Sequence, residues 1–575
     1  MCHRMWDGLG LLLCWFLTCL VPSKGRPAEV ADLVLENGKI VTLNPASPEA
    51  SAIAVRGDTI LAVGSRTMVR RHIGAATKVI DLEGRLAVPG FVESHGHFRG
   101  VGQARLNLDL TKASNWDDIV AIVAAAAAKA RPGEWILGRG WHQEKWDRAP
   151  SPGVEGFPVH YSLSKVSPGN PVLLTHASGH ATFANAKAME VSGVIRSTRS
   201  PAGGEILRDP DGNPTGVFRE TASGLIGRAL SLSLSRRTPA EVEAADRREI
   251  ELAVEECLSK GVTSFHDAGA SFATVDLYKR MADEGKLGVR LYVMISEGNA
   301  SLAKNLAEHR LVGYGNRHLT VRAIKRLIDG ALGPRGAWLL EPYADLPTST
   351  GLNTTSVGEI AETARIALQH DFQLCVHAIG DRANRETLNV FEAAFKTAPE
   401  KKGLRWRIEH AQHLSTSDIP RFGALGVIAA MQGIHCTSDA PYVIARLGEQ
   451  RAGEGAYVWQ KLMQSGAVIC NGTDAPVENV SPIANYHATV SRRLKDGTVF
   501  YGNQRMSRIE ALKSCTLNGA YAAFEENEKG SLVPGKLADI TILSRDIIAI
   551  PEDEIPKTEV VRTIVGGRIL YENRR

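Results

Sequence analysis

The sequence predicts an α/β protein with three parts: a TIM-like (β/α)8 barrel, a small β-sandwich domain formed from both termini, and a large insertion after the first barrel strand. Three observations predict it. Short apolar segments alternate with amphipathic helical segments through the middle of the chain. Several of those apolar segments end in histidine or aspartate, as barrel strands do where they meet the catalytic face. Both chain ends carry a hairpin pattern instead.

The two ends of the chain are rich in short β-strands. Residues 30–65 alternate apolar and polar residues in short runs, with Asn37-Gly38 and Gly57-Asp58 at the turns. Asn-Gly favours a two-residue hairpin turn. Residues 538–543 and 560–570 repeat the pattern. We therefore expect one composite β-sandwich domain from residues 28–85 and 530–575.

The barrel is expected over residues 86–529. Its strand ends are predicted near His97 and in the segments Val262–Asp267, Val289–Ile295, Val321–Asp329, Leu374–His377, Arg407–His410, Val427–Gln432 and Val468–Asp474. About 160 residues separate the first two segments, far more than an ordinary connection between a strand and a helix. Residues 103–236 are therefore expected to form an insertion, which on the catalytic face would act as a lid and a specificity element.

Composition narrows the class of protein. The chain has 575 residues, 44% of them hydrophobic and 23% charged, with a formal net charge of +4. These are the values of an ordinary globular protein, and no basic region indicates nucleic acid binding. Five cysteines follow the first 27 residues, an odd and scattered set that is more typical of buried apolar side chains than of disulfides.

Residues 1–27 resemble a signal peptide or signal-anchor. An apolar block over residues 9–21 follows His3 and Arg4 and precedes a polar stretch. The block is short for a bilayer span, although Asp7 and the lack of a clear cleavage site leave a signal-anchor open. We expect a secreted, periplasmic or secretory-pathway protein that contacts the membrane only through this leader.

The segment Leu86-Ala87-Val88-Pro89-Gly90-Phe91-Val92-Glu93-Ser94-His95-Gly96-His97 is the strongest local signal. On a strand, residues i and i+2 point to one face, so His95 and His97 can hold one cation. Two such histidines are often only solvated. Here, however, three later segments also end in His377, His410 and Asp474. Imidazole and carboxylate suit zinc and related metals, so the sequence predicts a divalent metal site.

These residues belong to a longer series of ordered motifs. The series comprises Pro89-Gly90-Phe91, His95-x-His97, Gly179-His180-Ala181, Gly216-Val217-Phe218-Arg219-Glu220, Gly261-Val262-Thr263, Lys325-x-x-x-Asp329-Gly330, His377-Ala378-Ile379-Gly380-Asp381-Arg382-Ala383, Ile408-Glu409-His410-Ala411-Gln412, Gly472-Thr473-Asp474-Ala475-Pro476 and Gly535-Lys536-Leu537-Ala538-Asp539. On these motifs the chain, from about residue 31 to 570, resembles the metal-dependent amidohydrolase superfamily, and within it the amidohydrolase family 3 branch.

The resemblance implies roles for single residues. His95 and His97 would be metal ligands of the first strand, His377 and His410 those of the fifth and sixth, and Asp474 the eighth-strand carboxylate and general base. Lys325 matches a lysine that is carboxylated in binuclear relatives, where it bridges two metals. Glu220 is a rival bridging carboxylate. The resemblance leaves open one or two ions per chain, with zinc as the expected metal.

Other readings of the same residues stay open. Asp474 would alone suit a turn or a helix N-cap, and Lys325 an ion-paired amine. His180, Glu220 and Trp141 are candidate substrate-binding residues, although His180 suits a structural histidine equally and tryptophans in an insertion often form its own core.

Three positions depart from the family pattern. Glu93 stands where an aspartate is usual, which should affect the geometry around the ligands more than the choice of metal. Gly433 replaces a frequent proline, and His142 replaces a common aspartate. The last two lie on the substrate side, so no particular substrate is carried over.

The resemblance implies hydrolysis by a metal-activated water of a non-peptide carbon–nitrogen bond in a small molecule: an N-substituted amide, a formamide or a cyclic amide. A deaminase or an esterase would use the same residues. A catalytically silent binding or regulatory protein would lack ligands, whereas all five ligands are present. The oligomeric state is open, a homodimer included.

Overall fold

The computed structural model describes residues 29–235 and 237–573. The predicted leader lies outside the described residues, so export stays a prediction. Within the described ranges, no helix combines the length and the apolar character that a bilayer span requires.

Eight parallel strands form the central sheet in the order of the chain. They are Phe91–Gly96, Val262–Ala270, Arg290–Ile295, Leu319–Leu327, Gln373–Ala378, Arg407–His410, Ile428–Met431 and Ile469–Asn471. A short strand, Leu311–Gly313, pairs antiparallel with the fourth. The first and eighth strands meet just past their ends, where Asp474 N donates to His95 O at 2.8 Å and His97 N to Ala475 O at 2.7 Å. This nearly closed parallel sheet confirms the predicted α/β barrel class. Each predicted segment overlaps a barrel strand, and His97 directly follows the first one.

Helices surround this sheet and connect its strands. They are Phe98–Leu106, Pro239–Ser259, Phe272–Asp283, Asn299–Asn305, Tyr314–Arg317, Val357–His370, Asp381–Thr397, Ile419–Leu425, Gly433–Leu447, Glu449–Gly455, Trp459–Gln464, Pro482–Ser491, Arg508–Ser514 and Leu517–Ala522. Three of them begin with a capping box, in which the N-cap hydroxyl and a glutamate three residues later satisfy each other's backbone N–H groups: Thr238 with Glu241, Ser356 with Glu359, and Ser507 with Glu510.

A second, six-stranded sheet lies between the first two barrel strands in the chain. Its strands are Leu108–Asp109, Ile136–Trp141, Val172–His176, Ala181–Ala184, Gly204–Arg208 and Pro214–Glu220. A two-stranded hairpin, Gly153–Val154 with Phe157–Pro158, and the helices Trp116–Ala127, Tyr161–Val166, Ala186–Val191 and Ser223–Leu234 complete this part. The last strand of the sheet ends at Glu220, beside the barrel mouth.

The two ends of the chain share one sheet. Its eight strands are Leu33–Val41, Glu49–Arg56, Thr59–Gly64, Lys78–Asp81, Leu86–Pro89, Ile540–Leu543, Val560–Val565 and Arg568–Glu572. The N-terminal and C-terminal halves join where Ile540–Leu543 pairs antiparallel with Leu86–Pro89. Only Gly90 separates Leu86–Pro89 from the first barrel strand, so this sheet fixes the start of the barrel. The sandwich packing and the domain bounds stay predictions.

Candidate metal centre and active site

The first barrel strand brings two histidines to its carboxyl end. His95 lies in the strand and is fully buried, whereas His97 follows it with a side chain that is 44% accessible. Asp474 lies in the loop after the eighth strand, with a positive φ of 56°. Its Oδ1 lies 3.6 Å from His95 Nε2 and 3.3 Å from His97 Nε2. The barrel closure therefore places a carboxylate between the two imidazoles.

This donor set fits a divalent cation. Four ligands about 2.1 Å from a tetrahedral centre lie about 3.4 Å from one another, close to the separations of Asp474 Oδ1 from the two histidines. His95, His410 and Asp474 each offer a ligand atom within 4.8 Å of the other two. Asp474 Oδ1 is buried and has no hydrogen-bond partner among the described residues.

The fifth and sixth strands add His377 and His410. Their ring centres are 4.5 Å apart, and the His410 ring is 4.8 Å from that of His95. His377 Nε2 has no hydrogen-bond partner in the described part of the chain and lies 3.4 Å from Asp329 Oδ1. Lys325, on the fourth strand, places Nζ 3.4 Å from His95 Nε2. The structure thus brings all six predicted ligands into one connected cluster.

Two of these imidazoles are oriented through Nδ1. His95 Nδ1 bonds to Glu409 Oε2, and His410 Nδ1 lies 2.8 Å from Gln432 Oε1. Both contacts leave Nε2 free for a metal, because a partner on one ring nitrogen selects the tautomer. Glu409 is held in turn by Arg407, through bonds of 2.7 and 2.9 Å.

Burial sets the protonation of the cluster. It lowers the pKa of His95 to about 4 and holds the pKa values of His377 and His410 well below 6.5. Neutral imidazole is the form that binds metals. Burial alone would raise the pKa of Asp474, but the surrounding histidines hold it well below its usual range. Burial also lowers the pKa of the Lys325 amine.

The insertion contributes a second pair of groups. His180 Nδ1 lies 2.8 Å from Glu220 Oε2, and the His180 ring is 4.8 Å from that of His377. Glu220 adopts a positive φ of 49°, and its Oε1 is buried without a partner among the described residues. Space for this carboxylate comes from Gly330, where a Cβ would lie 2.0 Å from Oε1.

Trp141 lies apart from these groups. Its side chain is fully buried in the core of the insertion, where it packs on Trp146 and His176 and donates Nε1–H to Leu174 O at 3.0 Å. The expected substrate contact of Trp141 is therefore corrected: the adjacent His142, rather than Trp141, lines the cavity.

A narrow cavity opens onto His410 and Asp474; together with the solvent space at its mouth it encloses about 500 Å³. Its walls come from the insertion, through His142 and His180, and from the loops and helices that follow the barrel strands. A wider space of about 1650 Å³ lies outside it and is bordered by His97, His180 and Glu220.

Sequence reasoning missed the residues that hold the ligands in place. Glu409 and Gln432 orient imidazoles. Asp329 accepts the backbone N–H groups of Ile379 and Gly380, two and three residues after His377. One signal was available for Glu409: Arg407 and Glu409 share one face of a buried strand, and opposite charges in that arrangement pair.

Glu93 forms hydrogen bonds to both segments that carry the first-strand and eighth-strand ligands. Its carboxylate accepts from Thr473 N and Thr473 Oγ1, both at 2.7 Å, and from His95 N at 3.3 Å. It therefore connects the first strand to the eighth beside the ligands.

Residues 78–571 match the sequence profile of a family described as "Amidohydrolase family". The chain belongs to the amidohydrolase family. It is 34% identical to "Protein LONG AFTER FAR-RED 3" of Arabidopsis thaliana, over 96% of this chain and 94% of the relative. It is 27% identical to "N-substituted formamide deformylase" of Arthrobacter pascens, over 95% and 99% of the two chains.

Among solved structures, this amidohydrolase resembles an uncharacterised metal-dependent hydrolase of Pyrococcus horikoshii. The TM-score is 0.72 at 25% identity, over 91% of this chain and 99% of the other. The predicted family and the prediction of an enzyme are confirmed. This chain is therefore an enzyme of the amidohydrolase family, a hydrolase of carbon–nitrogen bonds.

Proposed function

We propose that this amidohydrolase cleaves N-substituted amides, formamides or cyclic amides. The placement of Asp474 carries the proposal: an unpartnered buried carboxylate oxygen lies between His95 and His97 at the wall of the cavity. The relative from Arthrobacter pascens is named as a deformylase of N-substituted formamides, which supports this substrate class.

His95, His97, His377, His410 and Asp474 would hold the metal, and zinc suits their nitrogen and oxygen donors. A divalent cation supplies a Lewis acid that acidifies water and polarises a carbonyl group. Lys325 and Glu220 remain rival positions for a bridging ligand. The contact of Lys325 with His95 favours Lys325, and a neutral amine is the form that CO₂ carboxylates.

The chain's own groups supply the proton transfers. Asp474 accepts a proton from the attacking water and passes it to the leaving nitrogen, since its lowered pKa keeps it ionised before the reaction. Burial alone would lower the pKa of His180, but Glu220 raises it above the usual value. A protonated His180 at the cavity wall would orient the substrate carbonyl by donating to its oxygen.

Metal analysis of the purified protein tests the proposal, with His95→Ala, Lys325→Ala and Asp474→Asn alongside. We expect about two equivalents of zinc per chain, a loss of metal in both alanine variants, and at least a thousandfold loss of amide hydrolysis in Asp474→Asn. A metal content of one equivalent per chain that is unchanged in Lys325→Ala would contradict a lysine bridge. Undiminished turnover in Asp474→Asn would remove this residue from the mechanism.

A substrate panel separates the proposed reaction from its alternatives. N-alkyl formamides, anilides and lactams are compared with aminopurines and esters, and the product is identified as amine, ammonia or alcohol. Release of amine from the amides supports the proposal. Ammonia from the purines alone, or alcohol from the esters alone, would replace it by deamination or ester cleavage.

A further inference from the structure

One face of a helix forms part of the cavity wall. His435, Asp439 and Tyr442 occupy positions i, i+4 and i+7 of the helix Gly433–Leu447, and all three line the cavity. We call them the His435–Tyr442 face. The His435 ring is parallel to the His410 ring, with centres 6.3 Å apart. A group that contacts His435 on this face would therefore be separated from His410, a predicted metal ligand, by the His435 ring.

Asp439 is held only by neutral groups. Its Oδ2 accepts from Gln412 Nε2 at 3.0 Å and from Tyr457 Oη at 2.8 Å, and its Oδ1 from Ser438 Oγ at 3.4 Å. No ion pair involving Asp439 is found in residues 29–235 and 237–573. Lys145, which also lines the cavity, pairs with Glu478 at 3.4 Å instead. Asp439 thus has no ion-pair partner among the described residues, and the nearby Arg446 guanidinium lies 5.8 Å from the Tyr442 ring and pairs with Glu144 and Asp345 instead.

Two buried imidazole nitrogens of the same cavity wall also lack hydrogen-bond partners among the described residues. His435 Nε2 and His142 Nδ1 form no hydrogen bond with any described residue, although both residues line the cavity and each is only 6% exposed. Buried polar atoms are ordinarily satisfied, so two in one cavity wall indicate a ligand. The His142 and Tyr442 rings, 5.6 Å apart, add aromatic surface at the same place.

We propose that the His435–Tyr442 face binds a cationic nitrogen group of the substrate, with Asp439 as its counter-ion. An ammonium group meets each requirement: its charge compensates the carboxylate, its N–H groups reach unpartnered imidazole nitrogens, and aromatic rings attract cations. The inference rests on the proposed function, because it names the substrate class of that same site: amides that carry a basic amine.

Calorimetric titration of the metal-loaded protein with n-butylammonium at pH 7 measures binding to the His435–Tyr442 face independently of catalysis. The uncharged n-butanol, of the same length, is the comparison ligand. We expect butylammonium to bind at least tenfold more tightly than butanol, and Asp439→Asn to remove this preference. Asp439→Glu, which keeps the charge, should retain most of it. Asp496→Asn, which removes an exposed charge outside this cavity, should leave the preference unchanged.

The second measurement is turnover of two N-alkyl formamides of equal length, one ending in ammonium and one in methyl. We expect kcat/KM to favour the ammonium substrate at least tenfold, and Asp439→Asn to cut that ratio by at least tenfold, mainly through KM. Equal binding of butylammonium and butanol by the wild type overturns the inference, as does a wild-type preference that survives in a folded Asp439→Asn. Ammonium binding with no amide turnover overturns the proposed function alone.

Discussion

The His95 imidazole is fixed by a carboxylate that is itself fixed by a guanidinium. Arg407 donates two bonds to Glu409 and one of 2.7 Å to the carbonyl of Ser94, and all three side chains of this His95–Glu409–Arg407 chain are fully buried. Arg407 therefore holds both the carboxylate and the backbone next to His95. The partners of a ligand set its tautomer and direction, and they commonly matter for affinity about as much as the ligand does.

We predict that Glu409→Gln lowers metal affinity by about 10–100-fold. The amide has nearly the same shape, but it loses the charge that favours His95 Nδ1–H and leaves Arg407 buried without a counter-ion. Competition with a chromophoric chelator measures the affinity, and circular dichroism checks that the variant is folded. Glu362→Gln, on an exposed helix surface, is the matched control. Wild-type affinity in folded Glu409→Gln would show that this carboxylate does not tune the site.

At the scale of single residues, the predicted metal ligands could be identified from the sequence, whereas the residues that hydrogen-bond to them could not. His377 and His410 could be identified because each ends an apolar run, a property of one short segment. Gln432 comes to His410 only because the sixth and seventh strands are neighbours, and that pairing is not local in sequence. Trp141 was wrongly predicted to contact substrate for a related reason. Which face of a strand points into the core of the insertion depends on how all strands of that sheet pair, and this is not visible locally in the sequence.

At the scale of elements, a short helix is attached to the terminal sheet through Glu36. Glu36 lies in the strand Leu33–Val41 with a side chain that is 7% exposed, and it accepts from Arg66 at 2.9 Å and from Arg70 at 2.8 and 3.0 Å. Bonds from Arg70 and Arg66 lower the pKa of Glu36 from 4.5 to about 2. The helix Arg66–Arg70 has five residues, too few to be stable without such contacts.

We predict that Glu36→Gln lowers the free energy of unfolding at pH 7 by about 1–2 kcal/mol, a value reduced for the half-exposed arginines. Because the folded pKa is below the unfolded one, this stabilisation is complete above pH 4.5 and is lost as the pH falls towards about 2. Urea unfolding at pH 7 and pH 3 measures the difference. Glu49→Gln, whose side chain is 60% exposed, is the control. A difference that grows as the pH falls would contradict the assignment.

The start of the helix Gly433–Leu447 requires glycine. A Cβ at Gly433 would lie 2.0 Å from Thr489 Oγ1, and Gly433 N–H donates to Asn471 Oδ1 at 2.8 Å. The Thr489 hydroxyl is fully buried and bonds to Asn471 and Asn485, so it cannot move away freely. A proline at this position would also remove the N–H donor to Asn471.

We predict that Gly433→Ala lowers stability by about 1–3 kcal/mol through this overlap. Adding Thr489→Ala should recover part of the lost stability, because it removes the hydroxyl that overlaps with the new Cβ. Gly358→Ala is the control, because that helical glycine has no atom near its Cβ position and alanine there should be neutral or stabilising by up to about 1 kcal/mol. Thermal unfolding measures all three variants. A neutral Gly433→Ala would show that the helix start can shift.

The barrel strands and the presence of an insertion were predictable from the sequence, whereas the strand pairing inside the insertion was not. Parallel strands that are buried on both faces form continuous apolar runs, such as residues 291–295, and these are visible in sequence. The insertion sheet instead mixes strand directions, since Val172–His176 pairs parallel to Ile136–Trp141 and antiparallel to Ala181–Ala184. Its last strand in the chain, Pro214–Glu220, lies between Ala181–Ala184 and Gly204–Arg208. Such mixed pairing is decided by packing across the sheet and has no local signature.

At the scale of the whole molecule, the terminal sheet and the barrel are joined by a buried ion pair. Arg290 begins the third barrel strand and Asp539 precedes the strand Ile540–Leu543, and their exposures are 3% and 4%. Two bonds of 2.8 and 3.0 Å connect them, and Asp539 also accepts from Gly566 N at 2.8 Å. Burial alone would raise the pKa of Asp539, but Arg290 holds it below its usual value.

We predict that Asp539→Asn destabilises the protein by about 3–5 kcal/mol, because it leaves Arg290 charged and buried without its partner. Asp58→Asn is the matched control. Asp58 pairs with Arg317 at 3.5 Å with both side chains more than a third exposed, so its loss should cost less than about 1 kcal/mol. Urea unfolding followed by tryptophan fluorescence gives both values. High salt should weaken the exposed pair and leave the buried one almost unchanged, since ions screen only charges that they can approach. Equal small losses in the two variants would show that the terminal sheet and the barrel are held together by apolar packing rather than by this ion pair.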